Sequence, residues 1–357
     1  MRYYILMLAL ATSLFASTIE MYGVAHLSGD SIDNGQNRVF KIASNSSRLG
    51  IRGDYDISNG MKILMQYESG VDLTGQGTDD GNGGQTSAGN TLFTRTRVSF
   101  IGIESKFGTI KAGVLSVNDR WMYDYNLFAD QVGDLGNIWG KSSTFINRAN
   151  DMVMYALPEI VKGLDIDVSY LTDLSDKYAY ATINDAKEIT GVLLKVDYKI
   201  NGFKFGVGYL DISNDYDQPA PSDLALTASY TGESYSVGAG YLQSKNSSSI
   251  EQTHDSFMLG GSYNYKDFVA KTQYSSVSDN AHSGSSSMIA LGVDYKLNKD
   301  ALVYLAYAST NNGDTAVYKA NNYGHGKSAY GTPNPGDDPS ALSIGLVYKF
   351  SGTIYKK

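Results

Sequence analysis

The chain has 357 residues, a net charge of −8 and a pI near 5.0, an acidic balance that argues against nucleic acid as a partner. Hydrophobic residues make up 42% and mean hydropathy is −0.25. That is too polar for a bundle of membrane helices, yet it suits strands of which only alternate residues meet lipid.

In chain order, Met1-Arg2 gives a short positive start and Tyr3 to Leu14 an apolar run. The run is shorter than the ~20 residues a spanning helix needs. With small residues at Ala16 and Ser17 it reads as a signal peptide, residues 1–17, ahead of a mature chain. From there to Phe350 every second residue is apolar or aromatic, which is the period of a strand. Sixteen strands are predicted. They are Thr18–Leu27, Arg38–Ile57, Met61–Val71, Thr91–Ser105, Thr109–Ser116, Asp151–Leu157, Leu164–Leu171 and Gly191–Ile200, then Phe203–Ile212, Asp223–Tyr230, Ser234–Gln243, Ser256–Tyr265, Phe268–Ser276, Met288–Leu297, Ala301–Ala308 and Ala341–Phe350.

The connectors alternate short and long. Asn201-Gly202 and Lys266-Asp267 are tight turns, whereas 72–90, 117–150, 214–222 and 310–340 are long. A closed barrel with periplasmic turns and extracellular loops sorts its connections in this way. An even strand number returns both ends to the periplasmic side, and sixteen strands leave room for a channel. The 28 Tyr suit a membrane–water interface. Cysteine is absent, which fits an oxidising compartment.

Which face meets lipid follows from charge. In Gly191–Ile200, Val192, Leu194, Val196, Tyr198 and Ile200 oppose Lys195, Asp197 and Lys199. In Phe203–Leu210, Phe203, Phe205, Val207 and Tyr209 oppose Lys204, Gly206 and Gly208. A charge facing lipid at mid-bilayer costs about 2–4 kcal/mol, so the charged faces line the interior. Unpaired charges in a dry interior would cost more still, so that interior is wet. The expected fold is an all-β, 16-stranded antiparallel transmembrane β-barrel over residues 18–350, followed by a C-terminal extension, 351–357.

Several segments resemble the Gram-negative general diffusion porins. One is Ser47-Arg48-Leu49-Gly50-Ile51-Arg52-Gly53, followed by Met65-Gln66-Tyr67-Glu68-Ser69-Gly70. Another is Thr94-Arg95-Thr96-Arg97-Val98-Ser99-Phe100, followed by Phe107-Gly108-Thr109. A third is Asn147-Arg148-Ala149-Asn150-Asp151-Met152, and Tyr348-Lys349-Phe350 resembles the closing aromatic strand. The resemblance departs in two places. Residues 351–357 follow the terminal aromatic, and loop 117–150 lacks the Pro-Glu-Phe-Gly-Gly type stretch of many relatives.

The resemblance implies a homotrimer in outer-membrane lipid that passes small hydrophilic solutes and ions by passive diffusion. It also implies a third extracellular loop folded inward, its acids facing a ladder of wall bases. Carried over by motif, the ladder is Arg48, Arg97 and Arg148, with Arg52, Arg95 and Lys111 as supplements. The loop offers Asp119, Asp124, Asp130 and Asp134. Facing rows of opposite charge set up a transverse field that sorts solutes by charge and size. The alternative for each arginine is a bridge that stiffens the wall, and for each aspartate a turn-forming role.

The same loop holds Trp121, Tyr123, Tyr125 and Trp139. These aromatics either stack on a solute or pack the loop against the wall. Asp72, Asp79 and Asp80 share a Gly-rich loop that either is simply flexible and solvated, binds Ca²⁺ through clustered carboxylates or, as the resemblance implies, latches onto a neighbouring protomer of a trimer. His26, His254, His282 and His325 sit in no catalytic motif, so no enzyme, metal site or cofactor is expected. Two other readings stay open. One is a channel selective for sugars or organic anions. The other is an adhesin or structural barrel that uses 310–340 as a binding surface.

Overall fold

The computed structural model describes residues 17–356 apart from 75–77, 80–84, 87–92, 141–144, 178–187, 217–219, 248–250, 281–283, 322 and 326–331. The wall has sixteen strands. β1 is Thr18–Asp33. β2 comes in two pieces, Arg38–Ser44 and Arg48–Asp56, and β3 is Lys62–Val71. β4 is likewise split into Phe93–Thr96 and Ser99–Ser105. Then come β5 Gly108–Ser116, β6 Arg148–Ala156, β7 Leu164–Leu171, β8 Ile189–Ile200, β9 Phe203–Asn214 and β10 Ser222–Thr231. The last six are β11 Tyr235–Ser247, β12 Glu251–Tyr265, β13 Phe268–Asp279, β14 Ser286–Lys296, β15 Ala301–Asn312 and β16 Ser340–Lys356. Each pairs antiparallel with its chain neighbours, and β1 pairs with β16 from Thr18↔Lys356 to Asp33↔Ser340, which closes the barrel.

The alternation of the sequence is the alternation of the wall. Val192, Val207, Leu291 and Leu305 point outward at 50%, 41%, 48% and 53% exposure, while inward Lys195, Lys271 and Gln273 keep 4%, 7% and 1%. An apolar girdle running round the barrel exceeds any patch that a soluble monomer exposes to water, so lipid is its solvent. At the periplasmic end the turns follow local chemistry. Asn201 and Gly202 both take positive φ (48° and 84°) between the paired Ile200 and Phe203, the geometry Asn-Gly favours.

Three departures from the simple alternation matter. β2 is interrupted at 45–47, where its register against β1 slips by one residue and Ser46 takes φ 46°. β4 is interrupted at 97–98, with a one-residue slip against β3. β6 slips between Ala149 and Met152, where Asp151 takes φ 49°. Each is a β-bulge, and each reverses which residues of the alternation face inward. Arg48, Arg97 and Arg148 each lie beside one of these bulges.

Most strands run a few residues beyond their expected ends toward the extracellular loops. β1, for example, reaches Asp33 rather than stopping at Leu27. The segment after Phe350 is no loose tail in the structure. Residues 351–356 continue β16 and pair with Thr18–Tyr22 of β1. Phe350 lies against Gly23, where a Cβ would meet its ring at 2.5 Å. Of the signal peptide expected over 1–17, all but Ser17 lies outside the described residues, and Ser17 donates its backbone N–H to Asp54 O at 2.8 Å.

Candidate functional site

The segment between β5 and β6, here L3, leaves the wall through a closed neck. Val117 and Asn118 donate backbone N–H groups to Asn147 O and Ile146 O, both at 2.9 Å. The Asn118 side chain fixes that neck, accepting from Ile146 N at 2.8 Å and donating to Asp223 on β10 at 2.6 Å. Two single-turn helices follow, α1 (Asp119–Met122) and α2 (Gly136–Trp139).

L3 then crosses the lumen to the far wall, where glycines receive its aromatics. A Cβ on Gly208 of β9 would lie 2.3 Å from Trp121, one on Gly238 of β11 2.3 Å from Tyr125, and one on Gly292 of β14 2.8 Å from Phe128. Trp139 sits over Gly240 in the same way. Only glycine admits a ring this close to the strand backbone. Polar anchors complete the seat. Gln273 accepts Leu127 N at 3.1 Å, and Lys271 Nζ donates to Gln131 Oε1 at 3.0 Å while lying 4.8 Å from the centre of the Phe128 ring.

The near side of L3 faces the bulged strands across a cavity of about 450 Å³. Arg48, Arg97 and Arg148 of β2, β4 and β6 line it from the wall, and Asp119, Asp130 and Tyr123 line it from the loop. Arg148 Nη2 pairs with Asp119 Oδ2 at 2.9 Å, and Arg48 Nη1 lies 3.6 Å from Asp130 Oδ2. Glu68 of β3 adds an acid on the wall itself, 2.7 Å from Arg97 Nε and 3.9 Å from Arg48 Nε. Lys349 of β16 adds a base on the opposite margin. The lining therefore mixes charges of both signs, the arrangement that can hold a field across a gap.

The other sequence candidates lie elsewhere. Arg52 pairs with Glu20 at 2.7 Å near the periplasmic rim and stands over Tyr22. Lys111 lies over the Phe100 ring, 4.7 Å from its centre, away from the cavity. The Arg95 side chain lies outside the described residues. Asp124 is on the far side of L3, bound to Lys195 of β8 at 2.9 Å, to Lys204 of β9 and to the Thr227 hydroxyl of β10 at 2.8 Å. Asp134 is turned into the loop, accepting from Asn126 Nδ2, Asp130 N and Gly136 N. Burial, with Asp130 beside it, pushes its carboxyl up to about 8.

Trp121, Trp139 and Tyr125 keep 1%, 0% and 9% exposure, so their rings meet the wall and not the lumen, whereas Tyr123 faces the cavity at 38%. The calcium reading of Asp72, Asp79 and Asp80 falls mostly outside the described residues. Asp72 itself accepts from the backbone and hydroxyl of Thr74 at 2.8 and 2.7 Å, as a turn residue does.

Sequence reasoning missed Glu68, Lys349 and the pair between Arg120 and Asp167 of β7. Glu68 had a signal. It shares the inward parity of Gln66, opposite Met65 and Tyr67, on the strand next to Arg97. The loop between β15 and β16, here L8, which the adhesin reading uses as a binding surface, buries part of its length. Its Ala316, Tyr318, Ala320, Tyr323 and His325 are 0–3% exposed. No local pattern in these residues signals that the loop turns inward.

Comparison with known proteins agrees with this architecture. Residues 5–315 match the Gram-negative porin family. An outer membrane porin protein of Bordetella pertussis is 25% identical over 256 residues, 69% of this chain, and the matched stretch spans 56% of that porin's length. An anion-selective porin from Comamonas acidovorans superposes with a TM-score of 0.77 at 19% identity, covering 93% of this chain and 99% of its own. A trimer form of the outer membrane protein OmpT of Vibrio cholerae superposes at 0.65 with 18% identity, covering 94% and 100%. The family match covers well over half of the chain, on a closed barrel of sixteen strands, and the chain belongs to the Gram-negative porins.

Proposed function

We propose that this barrel is a passive channel for small hydrophilic solutes and ions across an outer membrane. The observation that carries the reading is the cavity between L3 and the bulged wall, with Arg48, Arg97 and Arg148 on one side and Asp119 and Asp130 on the other. That gap is the eyelet. Solutes cross it down their gradient, so no catalytic group or energy source is required. The charges orient polar solutes and hinder apolar ones that cannot shed water against them.

The far-wall seat of L3 supports the reading as well. Aromatics in glycine pockets and Asp124 between two lysines hold the loop at a fixed depth, so the gap keeps its width. We read the protein as a homotrimer in lipid; the Vibrio cholerae protein that shares its fold is described in a trimer form. The outward belt supplies the lipid-facing surface.

Single-channel recording in planar bilayers under a salt gradient tests the function. Steady ohmic conductance with graded ion preference is expected, and liposomes carrying the protein should swell in small sugars. A barrel that leaves both bilayers and liposomes tight would refute it. Binding of a host or matrix ligand by such a closed barrel would favour the adhesin reading. Saturable block by one solute class would favour a dedicated substrate channel.

A further inference from the structure

L8 enters the lumen from the extracellular side and lies on L3. Gly133 N donates to Ala320 O at 2.8 Å, and Asn137 Nδ2 donates to the same carbonyl at 2.9 Å. Asn137 Oδ1 in turn accepts Tyr323 N at 2.6 Å. The Tyr323 ring covers α2 at two glycines, where a Cβ on Gly136 would lie 2.2 Å and one on Gly140 2.9 Å from it. Phe145 meets that ring edge-on, with centroids 5.9 Å apart. At 3% exposure the ring is locked. Its hydroxyl donates to the Asp119 carboxylate at 2.7 Å.

We propose that Tyr323, carried into the lumen by L8, is a positioning residue of the eyelet that sets the charge and orientation of Asp119 and thereby the ion preference of the channel. The inference rests on the eyelet reading above.

The chemistry is direct. One Asp119 oxygen accepts from Tyr323 and the other from Arg148, so the carboxylate is held between loop and wall. Asp119 is 6% exposed, and burial raises its carboxyl above the usual carboxylate range, opposed by Arg148, by the Tyr323 hydroxyl and by Arg97. Asp130 of the same loop pushes it up further. Arg48, Glu68, His26, Tyr123 and Lys349 line the same cavity. A hydroxyl that donates to the charged form favours that form. Without it, Asp119 takes up its proton at a higher pH, and the eyelet loses a negative charge beside Arg148.

The test is the pH profile of reversal potential in a salt gradient, recorded on the full-length protein. Wild type should move toward anion preference as pH falls and Asp119 is neutralised. Tyr323→Phe keeps the ring in its glycine seat and removes only the hydroxyl. Its midpoint should rise by about one to two pH units, the equivalent of a hydrogen bond to a charged group. Asp119→Asn should abolish the step, and Tyr323→Phe added to it should change the profile no further. A Tyr323→Phe profile that superimposes on wild type, where Asp119→Asn still removes the step, would overturn this inference and leave the eyelet intact. An Asp119→Asn channel with an unaltered profile would overturn the eyelet reading and this inference with it. A role in packing alone would move conductance without moving the midpoint.

Discussion

Asp124→Asn probes how L3 is held. The Asp124 side chain is 6% exposed and receives the side chains of Lys195, 5% exposed, and Lys204, 25% exposed, together with the Thr227 hydroxyl. Removing one partner of a buried ion pair costs about 3–5 kcal/mol, because the other charge stays buried and uncompensated. Two features place this site at the low end. Lys204 is screened by water, and Asp197 stands 3.6 and 3.5 Å from the two ammonium groups, ready to take up part of the charge. About 3 kcal/mol remains, and at roughly 1.4 kcal/mol per decade the seated loop loses about a hundredfold over displaced forms. Single-channel records should then show frequent transitions between conductance levels where wild type is steady. Adding Lys195→Met removes the orphaned cation and should quieten the channel again, since an apolar pair can replace a buried ionic one. Records of Asp124→Asn indistinguishable from wild type would refute the anchoring role and the charge reasoning behind it.

Arg97→Glu changes the eyelet by two charges beside Glu68. At about 5 Å in water-like dielectric each charge is worth under about 1 kcal/mol to a passing ion. Reversal potentials should therefore shift toward cations, with the permeability ratio changing on the order of tenfold, and an unmoved potential would remove Arg97 from the eyelet. Deleting residues 121–140 takes away the part of L3 that fills the lumen, so conductance should rise. An unchanged value would mean that the loop does not narrow the path. Gly208→Val puts a side chain where Trp121 already stands, 2.3 Å from the built Cβ. The overpacking costs about 1–3 kcal/mol and should lift L3 off its seat. Conductance that differs from wild type in level or noise is expected, and an unaffected channel would argue against the glycine seat.

Much of the wall was legible in the chain because strand alternation is a local property. A run such as Val192, Leu194, Val196 against Lys195 and Asp197 declares both its conformation and its two faces without reference to any partner. Turn chemistry is equally local, and Asn201-Gly202 carries its own positive φ. The bulges were half visible. Phe40 and Ile42 face outward on even numbers and Leu49 and Ile51 on odd ones, so the parity change lies in the sequence although a single strand Arg38–Ile57 was expected there.

The partners of each charge were beyond the sequence. Asp119, Asp124, Asp130 and Asp134 read as four equivalent loop acids. The path of L3 sends Asp119 and Asp130 to the arginines, Asp124 to the far wall and Asp134 into its own turn. That path is set by glycine seats some 90 to 170 residues downstream and by Tyr323, which lies 204 residues from the carboxylate it holds. Contacts between residues so far apart depend on strand register and barrel closure, quantities that exist only once the whole sheet has formed.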